Sequence, residues 1–327
     1  MTLAMCARIT FSREGRKDIV ILKPSEVEIE TSWKILTDTA IIRLPRNVKY
    51  FDKFKVREVF KRGDGVKIEL GYDGVLTTEF TGYITEVSAS IPIEIKCQDE
   101  MFKVKQIPVN FSAKSIQLGK LLKQIIPGYQ IDAMVGLELG TVRFSKTTVG
   151  EVLDKLNSEL KIYTYIEPNT KTIVSGKIYA DNSDQNIVNF NLERNAVSND
   201  LQYRNREDIT VKVNGSCISK GVKIEYSYGD NNADKNIEWQ FSVRTKPELE
   251  IQVKRFYEAN KRDGFDGSFT AFGIPRVQHG WKVNLKSYIY PDRDGIYYVE
   301  SVTKTFKKAE YRQQIKLGNR YGQNATR

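Results

Sequence analysis

The sequence predicts a mainly β chain with an α/β insertion: two β-barrel modules flanking a small unit of helices and strands. Three observations carry this. Apolar and polar residues alternate through the first hundred positions. The spacing becomes helical between about 112 and 160, and alternation then returns to the end. A length of 327 residues fits two or three domains. The expected divisions are 1–108 for the first barrel, 109–185 for the α/β unit and 186–327 for the second barrel, which carries one helix at about 246–261 and a basic tail.

In the first part, Val27, Ile29 and Thr31 alternate with Glu28 and Glu30, and Ile41-Ile42-Arg43-Leu44 precedes a Pro45-Arg46-Asn47 turn. Val66, Ile68 and Leu70 share one strand face. Asp73-Gly74 then reads as a hairpin turn, because glycine tolerates the positive φ such turns need. The return strand runs through Phe80, Gly82-Tyr83-Ile84 and Val87, and Ile91, Ile93, Ile95 and Cys97 alternate in the next. From about Ser112, Leu118, Leu121, Leu122, Ile125 and Ile126 have helical spacing, ended by Pro127-Gly128. Thr148 and Glu151 have capping-box spacing ahead of the stripe Val149, Val152, Leu153, Leu156 and Leu160, and Ile162–Ile166 reads as a strand. Past the polar stretch Asp181–Gln185, strands cover 209–213, 222–226 and 239–243, with a polar loop at Gly229–Asn236. Thr245-Lys-Pro-Glu248 starts the late helix, with Pro247 in its first turn. Tyr311, Gln313, Ile315 and Leu317 close the chain on one strand face.

The two ends echo each other. Gly65-Val66-Lys-Ile68 matches Gly280-Trp281-Lys-Val283. Gly82-Tyr83-Ile84 leading to Val87 matches Gly295–Tyr298 leading to Val302, and Ile93–Cys97 matches Gln313–Leu317.

Composition narrows the function. Cys6, Cys97 and Cys217 are dispersed and odd in number, which argues against a disulfide framework or a cysteine zinc site. One histidine excludes multi-histidine metal sites. As a catalytic base His279 lacks a motif that supplies a nucleophile, so it is expected in a turn or on the surface. No cofactor or metal is expected, and Asp292-Arg-Asp294-Gly295 reads as a turn rather than a cation loop. No apolar stretch approaches the ~20 residues that cross a bilayer, and the N-terminus is expected not to be a secretory leader. The net charge of +10 is uneven, since residues 304–327 hold 7 basic side chains against 1 acidic. A general nucleic-acid binder spreads such charge over a face. Tyr298, Phe306 and Tyr311 among these cations fit a strand face better than a base-stacking surface.

Gly63–Gly74, Phe80–Val87 and Ile93–Asp99 resemble the first barrel of phage tail baseplate hub proteins. Gly267–Pro275, Pro291–Val302 and Tyr311–Gly318 are similar to that family's last barrel, and Leu201–Ile209 to the segment leading into it. The resemblance, to the late control protein and type VI spike hub family, covers nearly the whole chain in order. It implies two tail-tube-like barrels per subunit and a homotrimer whose pseudo-sixfold ring joins a sixfold tail tube to a threefold spike. The implied role is structural and not enzymatic. Implied partners are further copies of the chain, the tail tube protein, a spike protein and other baseplate proteins, with no membrane and with nucleic acid only passing through the channel. The implied location is the virion baseplate, assembled in the bacterial host cytoplasm, and with no needle after Arg327 a separate spike protein is expected. The expected contact region is the Val66–Val87 hairpin and its counterpart at Trp281–Val302, represented by Val66, Ile68, Tyr83, Val87, Trp281 and Tyr298. The alternative is a tail-associated peptidoglycan-binding or wall-degrading protein. The aliphatic stripes of the α/β unit, which offer no aromatic row for sugar rings, favour packing on a sheet instead.

Overall fold

The computed structural model describes residues 4–45, 59–88, 92–168, 170–177 and 187–321. Arg46-Asn47 of the expected turn, Ile91, the Asp181–Gln185 stretch with the 185/186 division, and residues 322–327 of the basic tail lie outside the described residues.

Among the described residues the N-terminal module has seven strands, β1 (Met5–Ser12), β2 (Ile19–Ile21), β3 (Glu26–Ser32), β4 (Thr39–Leu44), β5 (Gly65–Tyr72), β6 (Val75–Val87) and β7 (Ile93–Gln98). They lie in the order β3-β4-β7-β6-β5-β1-β2, all neighbours antiparallel. Alternation buries Ile9 and Phe11, Val27 and Ile29, Val66, Ile68 and Leu70, and Ile93 and Ile95 in one core. The two-residue turn Asp73-Gly74 joins β5 to β6 with φ of 51° and 82°, the positive values of a type I′ hairpin.

A short helix α1 (Met101–Val104) leads into β8 (Pro108–Ala113), α2 (Leu118–Ile125), β9 (Gln130–Ala133), β10 (Val142–Thr148), α3 (Val149–Leu160), β11 (Thr164–Ile166) and β12 (Thr172–Ser175). Thr148 accepts the Glu151 N–H while Glu151 accepts the Thr148 N–H, so α3 begins with the expected capping box. The apolar stripes of α2 and α3 pack into one aliphatic core. Sequence spacing missed α1 and β8, which runs into the segment expected to turn helical.

The C-terminal part holds β13 (Ile187–Asn191), β14 (Ala196–Asn199), β15 (Gln202–Arg204), β16 (Val211–Ser219), β17 (Val222–Gly229), β18 (Lys235–Gln240), α4 (Lys246–Asn260), β19 (Gly264–Asp266), β20 (Ser268–Phe272), β21 (Lys282–Lys286), β22 (Gly295–Lys307) and β23 (Glu310–Arg320). It has two cores. Strands β16–β18 form a sheet covered by α4 around Val211, Val213, Leu249 and Val253. A second core gathers Phe190, Phe269, Val283, Leu285, Val299, Val302, Ile315 and Leu317.

The strands around that second core repeat the order of the N-terminal module. There it runs β3-β4-β7-β6-β5-β1; here it runs β14-β20-β23-β22-β21-β13. The three echoed segments occupy matching places: β5 with β21, β6 with β22, β7 with β23. Both long strands carry a bulge at the same point of the ladder, at Thr85 between the Ile84–Cys97 and Glu86–Lys96 pairs, and at Glu300 between the Val299–Leu317 and Ser301–Lys316 pairs. One ladder differs, since β1–β5 is antiparallel and β13–β21 parallel. The chain is thus mainly β, with its α/β unit inserted between two related modules.

Candidate assembly surface

The modules meet edge to edge. Strand β22 pairs antiparallel with β3 from Ser301–Ser32 to Lys307–Glu26, so one sheet continues from β14 to β2. A buried polar joint lies beside this ladder. In β6, Ile68 pairs with Phe80 and Glu69 with Thr78, which leaves Glu79 as the extra residue of a bulge. The bulge buries Glu79 next to Phe80, against the alternation. The Glu79 carboxylate accepts hydrogen bonds from the Lys304 ammonium on β22, from Arg276 Nε at 3.1 Å and from Tyr311 Oη at 3.3 Å on β23. Burial holds the Lys304 ammonium below its usual pKa, opposed by the attraction of Glu79. Tyr72 Oη donates to the Tyr311 carbonyl at 3.0 Å, and Phe306 and Tyr311 complete the N-terminal core.

A second junction gathers Asp38, Asp99 and His279. The Asp38 N–H donates to Asp99 Oδ2 at 3.1 Å, and Asp99 Oδ1 accepts the Met101 N–H at 2.9 Å. Burial, then the Asp38 charge, raises the Asp99 carboxyl well above the usual range. The His279 ring lies 3.6 Å from Asp38 through Nε2 and edge-on to Tyr165 at 5.1 Å. His279 does sit in a turn, as one of the two expectations had it, but that turn is not at the surface. The residue is 3% exposed, because the loop before β21 packs into the angle between the N-terminal module and β11. A side chain sealed in this way is closed to a substrate.

An aromatic row ties a small cluster of Trp33, Tyr163, Tyr165 and Val174 to the core under α4. Trp33 stands edge-on to Tyr163 at 5.2 Å, Tyr163 stacks on Trp239 at 6.2 Å, and Trp239 stacks on Phe256 of α4 at 5.9 Å. Lys161–Glu238 at 3.2 Å and Ser242 Oγ donating to the Val135 carbonyl at 2.8 Å add polar ties along the same seam.

The residues expected at contacts have the following surroundings. Val66 and Ile68 are fully inside the N-terminal core, and Val87 packs against it half-buried. Tyr83 is half-buried, donating to Glu100 at 2.7 Å with Lys103 3.9 Å over its ring. Tyr298 is buried, edge-on to Tyr321 at 5.5 Å. Trp281 is half-buried with the Arg276 guanidinium 5.9 Å from its ring. That same guanidinium reaches Glu79 and the Thr78 carbonyl, so the two expected regions meet within one chain. Sequence reasoning missed Glu79, Arg276, Lys304, Asp38 and Asp99. Lys304 had a signal, since Val302-Thr-Lys304-Thr-Phe306 places a lysine on a buried strand face.

Among the described residues no group of three or more His, Cys, Asp or Glu could hold a metal ion, and no helix is long and apolar enough to cross a membrane. No family model matches the chain, and no curated protein matches it by sequence. Solved structures do. A tail protein of Neisseria meningitidis MC58 superposes with a TM-score of 0.63 at 16% identity, covering 97% of each chain. The 43 kDa tail protein of prophage MuSo2 from Shewanella oneidensis gives 0.60 at 13%, covering 95% of this chain and 97% of that one. An Escherichia coli component of the type VI secretion system, described as similar to the phage T4 tail proteins gp27 and gp5, gives 0.58 at 10%, covering 96% and 77%. From its first strand to its last, the chain has the fold shared by these phage tail and type VI secretion proteins.

Proposed function

We propose that the chain is the structural baseplate hub of a contractile phage tail or related injection system. Three copies form a ring that joins the tail tube to a spike. The observation that carries this reading is the repeated strand order, with one module joined edge to edge to the other by β3–β22. One chain thereby presents two neighbouring positions of a ring, so three chains supply the six that a sixfold tube meets. Heterologous contacts of this kind close into rings when the rotation fits. The likeness to tail proteins over nearly the full length supports a structural role over an enzymatic one.

In this reading Val66 and Ile68 shape the β5–β6 hairpin, and the outward Lys67, Thr81 and Tyr83 meet a neighbouring subunit or the tube. Trp281 and Tyr298 shape the matching surface. The tube protein, the spike protein and other baseplate proteins are the partners, and the virion tail, assembled in the host cytoplasm, is the location. Light scattering tests the ring. The expected mass is three times the 37.5 kDa of the chain. A monomer that persists at tens of micromolar, alone and with the tube and spike proteins of the same element, overturns it.

A further inference from the structure

We propose that neighbouring copies of this chain join by an antiparallel β-ladder between Gln202–Arg204 of one copy and Glu86–Ser88 of the next. The proposal rests on the hub reading and names the contact that such a ring requires.

The register follows from the repeat inside one chain. Strand β3 pairs with β4 through Val27–Ile42 and Glu30–Thr39. In the second module, Asn199 pairs with Phe269 and Gln202 with Asp266. Ile42 and Phe269 are themselves equivalent, facing Ile95 and Ile315 on the next strands. Gln202, Tyr203 and Arg204 therefore occupy the places of Glu30, Thr31 and Ser32. The bulges at Thr85 and Glu300 align the long strands in the same way, so Glu86, Val87 and Ser88 occupy the places of Ser301, Val302 and Thr303. Within the chain, Ser301 faces Ser32, Val302 faces Thr31 and Thr303 faces Glu30. Carried over to two copies, Glu86 faces Arg204, Val87 faces Tyr203 and Ser88 faces Gln202.

Both edges suit the contact. Among the described residues, Gln202–Arg204 pairs with a strand on one side only, as do Glu86 and Val87. The adjoining Val197, Ser198, Asn199 and Asp200 are all exposed. An open edge of this length invites another strand. The charges are complementary, because the ladder places a carboxylate opposite a guanidinium. Neither is held firmly in the single chain. Glu86 is 59% exposed with Lys96 at 3.2 Å, and Arg204 is 42% exposed with Asp266 at 4.0 Å. Opposite charges across a ladder stabilise it and like charges oppose it.

Charge reversal tests the register. Glu86→Arg and Arg204→Glu, made singly, each raise the concentration at which the trimer half-assembles by roughly tenfold in light scattering. The double variant returns to within about threefold of the parent. Both side chains are exposed, so at concentrations too low for assembly all three variants keep the parent melting temperature. As a second readout, Glu86→Cys chains mixed with Arg204→Cys chains form a disulfide-linked pair on oxidation that neither variant forms alone. A parent trimer that ignores both reversals, or single losses that the double variant does not restore, overturns the ladder while leaving the hub standing. A parent that stays monomeric overturns both.

Discussion

Glu79 and Lys304 are both buried, and the ammonium donates to a carboxylate that also accepts from Arg276 and Tyr311. A buried ion pair contributes little over an apolar pair, yet removing one member leaves a charge stranded. Glu79→Ala is expected to destabilise the protein by about 3–5 kcal/mol in denaturant unfolding, and adding Lys304→Met to recover much of that. Asp99 governs a pH effect. Its folded pKa lies above the unfolded value, so the folded state holds its proton more tightly from about pH 4 upward. Its contribution to stability is therefore greatest in acid and declines as pH rises through the folded value. Asp99→Asn is expected to flatten that part of the unfolding free energy measured between about pH 4 and 7. Lys304 was legible as a lysine in phase with Val302 and Phe306. Glu79 was not, because a bulge shifts the phase and no local pattern announces one. His279 illustrates the same limit, as its burial depends on Asp38 and Tyr165, far away in sequence.

At the scale of strands and helices, alternation identified β3 to β7 and β23, the echo of the first module marked β21 and β22, and the Thr148 and Thr245 starts placed α3 and α4. Strands β13, β14 and β15 escaped because they are only five, four and three residues long, too short for a period to register; their partners β21, β20 and β19 define them. Gly82 shows what a ladder demands of one position. A Cβ there would lie 2.1 Å from the Gln98 carbonyl oxygen and 2.9 Å from the Phe80 ring. Gly82→Ala is expected to cost about 2 kcal/mol, read as a lower denaturation midpoint, by forcing β6 away from β7.

Across the whole molecule, the echo between the two ends correctly named the equivalent strands, while the β3–β22 join was invisible because strand pairing between remote segments leaves no spacing signal. The split of the C-terminal part into two cores was likewise hidden, since β16–β18 alternate just as the other strands do. The aromatic row is the tie between units. Tyr163→Ala removes two ring contacts and is expected to loosen the seam by roughly 2 kcal/mol. Hydrogen exchange should quicken in β11 and β18, while β1, β5 and β6 keep their protection.

The bond from Thr31 to the Val302 carbonyl spans 271 residues. A ribosome adding about 5–20 residues per second needs roughly 15–55 s to cover that distance. Throughout that interval the nascent chain displays the raw edge of β3, ready to pair with the wrong polypeptide. Only when Ser301–Lys307 of β22 emerges is that edge covered, so the arrival of this one strand decides whether what was made first escapes such pairing.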